Sequence, residues 1–75
     1  MLLPENIHPK NSLYFNGAYV LKALKEENNL SIVQLYFRVK GFHQISISLF
    51  VLTLDWLYLV GLVSFNSVGN ITLCS

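Results

Sequence analysis

The sequence predicts an α+β domain, three helices followed by a C-terminal β-hairpin, in the outline of a small winged helix. Three observations predict it. Residues 45–60 form an apolar stretch of helical length that runs into Gly61. Beyond that stop, the apolar runs 62–65 and 71–74 flank the turn-forming segment Asn66-Ser67-Val68-Gly69-Asn70. Ahead of it, two segments each open on a serine suited to capping a helix and close on helix-breaking residues. The winged-helix domain is expected to span residues 12–75, preceded by an extended arm at residues 1–11.

In the arm, Pro4 and Pro9 forbid helix and push Leu3 and His8 toward extended backbone. Leu2, Leu3 and Ile7 are placed to pin it to a surface, so Leu3, Pro4, His8 and Pro9 are candidate partner contacts. His8 has only His43 as a second imidazole and no Cys/Asp cluster beside it. It is read as an arm residue, not a metal ligand.

Ser12 is the expected N-cap of a first helix reaching about Glu26. Leu13, Gly17, Val20, Leu21 and Leu24 share one face at helical spacing. Phe15, Tyr19, Lys22 and Glu26 share the opposite face. Two aromatics on a nominal solvent face have two readings: packing beneath the arm, or contact with a partner. Asn28-Asn29 breaks this helix. Ser31 then caps a second, which runs to about Lys40 and ends at Gly41. Its expected buried face is Ile32, Leu35, Tyr36 and Val39, with Gln34 and Arg38 outward. The short link Gly41-Phe42-His43-Gln44 suits a helix-turn-helix.

The third helix starts near Ser46. Counting back from Gly61, Leu57, Leu54, Phe50 and Ile47 form the inward stripe, and Ser48, Leu52, Asp55, Trp56 and Leu59 the outward one. A helix that reads DNA carries Arg, Lys, Asn, Gln or Ser on such outward positions. Here they are mostly apolar with one acid, and an acid facing phosphate repels it. The hairpin turn also lacks a cation. The outward stripe is therefore read as a protein-binding face. Asp55 sets register within it or is a salt-bridged surface acid; its apolar neighbours favour the first. Trp56 is a partner anchor, or folds back onto the hairpin as core. The hairpin itself has a free edge able to take a partner strand.

Composition points the same way. The chain has 75 residues, of which 53% are hydrophobic and 12% charged, with a net charge of +1. Soluble domains average about 25% charged residues, and one small domain cannot hide such an apolar surplus, so a partner or a membrane must cover it. The weak net charge gives no long-range attraction to nucleic acid. Residues 45–65 approach the roughly 20 residues of a membrane span. Against a span, Asp55 lies near the centre, Ser46, Ser48, Thr53 and Ser64 dilute the run, and it ends in a Gly and a turn–strand pattern. A membrane protein and a winged-helix DNA-binding regulator remain the alternatives. Met1-Leu2-Leu3 meets Pro4 and Glu5 at once, so no secretory signal is expected. The single cysteine, Cys74, excludes an internal disulfide and fits a reducing, cytoplasmic setting. There is no phosphate loop, metal-ligand spacing or nucleophile motif, and no pair of acids is set for acid–base work. Neither enzymatic activity nor a cofactor is expected.

Three blocks carry a family resemblance: Asn6-Ile7-His8-Pro9, Ser12-Leu13-Tyr14-Phe15-Asn16-Gly17-Ala18, and Leu54-Asp55-Trp56-Leu57-Tyr58-Leu59-Val60-Gly61-Leu62, with a cysteine near the end. Nearly the whole chain resembles the small middle component of bacterial ABC-three-component systems, and the Leu-Asp-Trp-Leu-Tyr block is the most specific part. The resemblance implies a non-enzymatic subunit of a hetero-oligomer. Its partners would be a large SMC/Rad50-like coiled-coil ATPase and an effector, often a nuclease, in defence against phage or plasmids. Lamassu-type systems are the nearest example.

Overall fold

The computed structural model describes residues 13–74. The order is α1 (Leu13–Glu26), α2 (Ile32–Lys40), α3 (Ile47–Leu59), then the antiparallel hairpin β1 (Val63–Phe65) and β2 (Ile71–Leu73). The α+β architecture expected from the sequence is present. The arm, with Leu3, Pro4, His8, Pro9 and the expected cap Ser12, lies outside the described residues.

Local chemistry sets the ends of the elements. Ser31 makes a full capping box with Gln34: its hydroxyl accepts from the Gln34 N–H, and its own N–H donates to the Gln34 side chain. Ser46 caps α3 by accepting from the Leu49 N–H. At the far end of α3, Gly61 adopts φ +82°. The Leu62 N–H then reaches the Leu57 carbonyl and the Gly61 N–H reaches that of Tyr58. This pair of bonds is the Schellman stop, which needs a residue tolerant of left-handed backbone. It turns the chain directly into β1.

One hydrophobic core joins all elements. Val20, Ala23 and Leu24 of α1 meet Leu35 and Val39 of α2, Phe50, Leu54 and Leu57 of α3, and Val63 and Ile71 of the hairpin. The face assignments need three corrections. In α1 the deepest positions include Asn16 and Ala23, while Leu13 and Leu21 are only half-buried. In α2, Ile32 faces solvent and only Leu35 and Val39 are fully enclosed. In α3, Thr53 is buried and Ile47 is 54% exposed. The Thr53 hydroxyl reaches the deep position by donating to the Leu49 carbonyl at 2.7 Å, so no polar atom is stranded.

The hairpin is tied back to the helices. Leu30, in the α1–α2 link, pairs with Ile71 through two backbone bonds, so β2 lies between Leu30 and β1. Three asparagines complete the junction. The Asn28 side-chain oxygen accepts from the Leu73 N–H, and the Asn29 side-chain oxygen accepts from the Asn66 side-chain amide. The Asn66 side-chain oxygen in turn accepts from the N–H groups of Val68 and Asn70, which shapes the turn. Pairing on the β2 side leaves the hairpin's open edge on β1.

Asn66→Ala removes the turn's internal acceptor and its link to Asn29 together. We expect a loss of about 1 kcal/mol in chemical denaturation, with faster amide exchange at Val68 and Asn70. Unchanged exchange at those amides would show that the turn holds its shape without Asn66.

Candidate protein-interaction site

Among the described residues, the outer side of α3 carries a run of exposed apolar groups. Leu52 is 55% and Leu59 80% exposed, and Val51, Tyr58, Val60 and Leu62 are also open to solvent. Helical spacing aligns Ser48, Leu52, Asp55 and Leu59 in one exposed row, flanked by Val51, Tyr58 and Leu62. Four of the outward positions read from the sequence, Ser48, Leu52, Asp55 and Leu59, are thus brought together. Val51, Tyr58 and Leu62 were missed because neighbours on a surface row extend three as well as four residues away. The Tyr58 ring meets Phe65 of β1 at 5.4 Å, which carries the apolar surface onto the hairpin.

Trp56 is the fifth outward position, and it is placed differently. It is half-buried, and it packs against the core and against α1. Its ring lies over Gly17, where a Cβ would sit 3.3 Å from Trp56 Cζ3 and 3.4 Å from Leu57 Cδ2. The Tyr14 ring meets it edge-on at 5.0 Å. Trp56 is therefore a wedge between two helices as well as a border of the exposed row.

Phe15 and Tyr19 gather elsewhere. Tyr19 stacks on His43 at 4.5 Å, and Phe15 meets both rings edge-on. His43 Nε2 lies 2.6 Å from Oδ1 of the fully buried Asn16. Lys22 sits over Phe42, 4.8 Å from the ring centroid. These aromatics fasten α1 to the α2–α3 link, a role that neither reading from the sequence included. The sequence signal was Asn16 itself, a polar residue on the apolar face of α1 that needs a partner. His43 in the link provides it.

A second uncovered patch lies on α2, where Val33 and Phe37 are exposed. Together with Glu27, Leu30, Gln34 and Arg38 they line an open groove of about 410 Å³. The exposed Arg38–Glu27 ion pair forms part of its wall. No helix among the described residues is long and apolar enough to cross a membrane. The 13 residues of α3 cover about 20 Å, short of the roughly 30 Å hydrocarbon core of a bilayer. Among the described residues, no three His, Cys, Asp or Glu side chains come together as a metal site.

Residues 3–74 match the family model of the ABC-three component (ABC-3C) system Middle Component 6. The chain belongs to that family. The resemblance carried by the Leu-Asp-Trp-Leu-Tyr block thus holds at family level, and in this middle component the block forms the C-terminal half of α3 with its exposed row. No curated protein and no solved structure matches the chain.

The Gly17–Trp56 contact yields a stability prediction. Gly17→Leu gains helix propensity but drives a side chain into Trp56 and Leu57. We expect a net loss of about 1–3 kcal/mol in denaturant unfolding, with a red-shifted Trp56 fluorescence as the ring is displaced. An unchanged midpoint and spectrum would show that α1 and α3 have room to separate.

Proposed function

We propose that this middle component is a non-catalytic interaction subunit. It links an SMC/Rad50-like coiled-coil ATPase to an effector such as a nuclease, in an anti-phage or anti-plasmid complex of Lamassu type. Membership of the ABC-3C middle components supports the setting. The observation that carries the role is the exposed apolar row of α3, since contiguous apolar surface of this kind marks interaction sites. Leu52 and Leu59 anchor the partner, Trp56 holds the row in place from behind, and Asp55 sets register. The arm from Leu3 to Pro9 clamps a second surface. The same elements favour a winged helix: Leu30 supplies a short strand between α1 and α2, and the hairpin follows α3 directly.

A DNA-binding role for α3 has less in its favour. The cations of the described residues, Lys22, Lys25, Arg38 and Lys40, all lie on α1 and α2. Neither α3 nor the hairpin carries one, so the charge-neutralising phosphate contacts of a DNA reader have no source there.

The test is to tag the chain in its native host, lyse without detergent, and identify the co-purifying proteins by mass spectrometry. We expect a long coiled-coil ATPase and one effector from the soluble fraction. Leu59→Asp is expected to lose them while its thermal unfolding stays within about 0.5 kcal/mol of wild type, since Leu59 is 80% exposed. Recovery of the chain alone, or only in the membrane pellet, would refute the subunit assignment.

A further inference from the structure

We infer that the partner covering α3 is a helix whose apolar face carries a lysine or arginine opposite Asp55. The inference rests on the proposed use of this face and specifies what meets it. Asp55 lies within the exposed row, with Val51 and Leu52 one turn before it and Tyr58 and Leu59 one turn after, all of them exposed and apolar. The ion pair among the described residues is Arg38–Glu27, and Asp55 makes no hydrogen bond or ion pair with them. Its own helix offers no cation, since the sequence from Ile47 to Leu59 contains neither Lys nor Arg.

These facts constrain the occupant. Any surface that buries Leu52 and Leu59 also takes Asp55 out of water, because they lie within one turn of it. A buried carboxylate without a counter-charge is strongly unfavourable. A wholly apolar surface is therefore excluded as the natural occupant, and so is the interior of a bilayer. A second copy docked face to face is disfavoured too: a two-fold contact centred on the row brings Asp55 toward its mate, and the row has no cation to relieve the repulsion. Neutral donors answer a carboxylate only in part, since charge-assisted bonds are about twice as strong, so the best match is a different chain with positive charge set among apolar groups. A helix fits best, because a straight row at three- and four-residue spacing packs against ridges of the same kind. An arginine suits the position well, since its guanidinium both pairs with carboxylate and stacks on neighbouring rings such as Tyr58.

The experiment compares tagged wild-type chain with Asp55→Glu, Asp55→Leu, Asp55→Lys and Leu59→Asp in the native host. It reads the amount of co-purifying subunits per tagged chain, with circular dichroism to show that each variant is folded. Asp55→Leu decides the sign. Opposite a cation, the leucine leaves a buried positive charge unpaired, and affinity falls by about 10²-fold; Asp55→Lys falls further, and Asp55→Glu stays near wild type. Opposite an apolar surface or water, removing the charge leaves binding unchanged or tighter, and that result overturns the inference. Leu59→Asp separates the two levels. If it leaves the yield intact, the face is not the interface and the underlying reading fails. If it abolishes the yield while Asp55→Leu and Asp55→Lys bind like wild type, only the cation is wrong. Self-association of the isolated wild-type chain in sedimentation equilibrium, abolished by Leu59→Asp, would assign the face to a second copy and overturn the inference as well.

Discussion

The close approach of α1 and α3 at Gly17 fixes most of what is distinctive in this molecule. With no side chain at that position, the Trp56 and Leu57 side chains settle directly onto the α1 backbone, leaving too little room for a Cβ without a shift of a few tenths of an ångström. That contact sets the roll of α3 about its own axis. The roll decides that Phe50, Thr53, Leu54 and Leu57 face inward and that Leu52, Asp55 and Leu59 face solvent. It also explains how a polar threonine comes to be fully buried while an isoleucine is left half-exposed. The side-chain hydroxyl of Thr53 is satisfied within its own helix, so burial there carries little penalty.

The roll of α3 was only partly legible in the sequence, for a physical reason. A helix reveals its buried face through contrast between apolar and polar positions, and Ile-Ser-Leu-Phe-Val-Leu-Thr-Leu-Asp-Trp-Leu-Tyr-Leu has little contrast. Its ends were clear, because Ser46 and Gly61 act through backbone hydrogen bonds that do not depend on the roll. Asp55 marked the outer side, since a lone acid is the residue least able to enter the core. Ile47 was placed too far in, and Trp56, read either as an anchor or as core, lies between the two. A two-sided reading has no place for such positions, since Trp56 sits on the border between the α1 contact and solvent. The capping serines, the break at Asn28-Asn29 and the turn were legible by local chemistry alone. The joining of those asparagines across 37 and 45 residues of sequence is a tertiary fact that no local pattern encodes.

The polar groups that do occur inside are used for fastening. Asn16 with His43 and Tyr36 with the Ile45 carbonyl join elements, and Thr53 is satisfied within its own helix. Among the described residues, every buried side-chain nitrogen and oxygen has a partner. A small, marginally stable core would not tolerate stranded polar atoms. This makes the contrast with α3's outer side sharper. Inside, each polar atom is matched; outside, the Asp55 carboxylate stands among apolar side chains with no hydrogen bond or ion pair to another described residue.

That asymmetry has a thermodynamic consequence for the whole subunit. The charged residues of the described chain other than Asp55 sit on α1, α2 and the link between them. Water therefore solvates one side of the molecule well and the α3 side poorly. Removing the α3 side from water is favourable in proportion to the apolar area covered, but the gain is realised only by a surface that also answers Asp55. Apolar area supplies affinity without direction; one charge inside it penalises every mismatched surface and every register but one. Under the proposed use of this face, Asp55 supplies the direction that apolar area alone lacks.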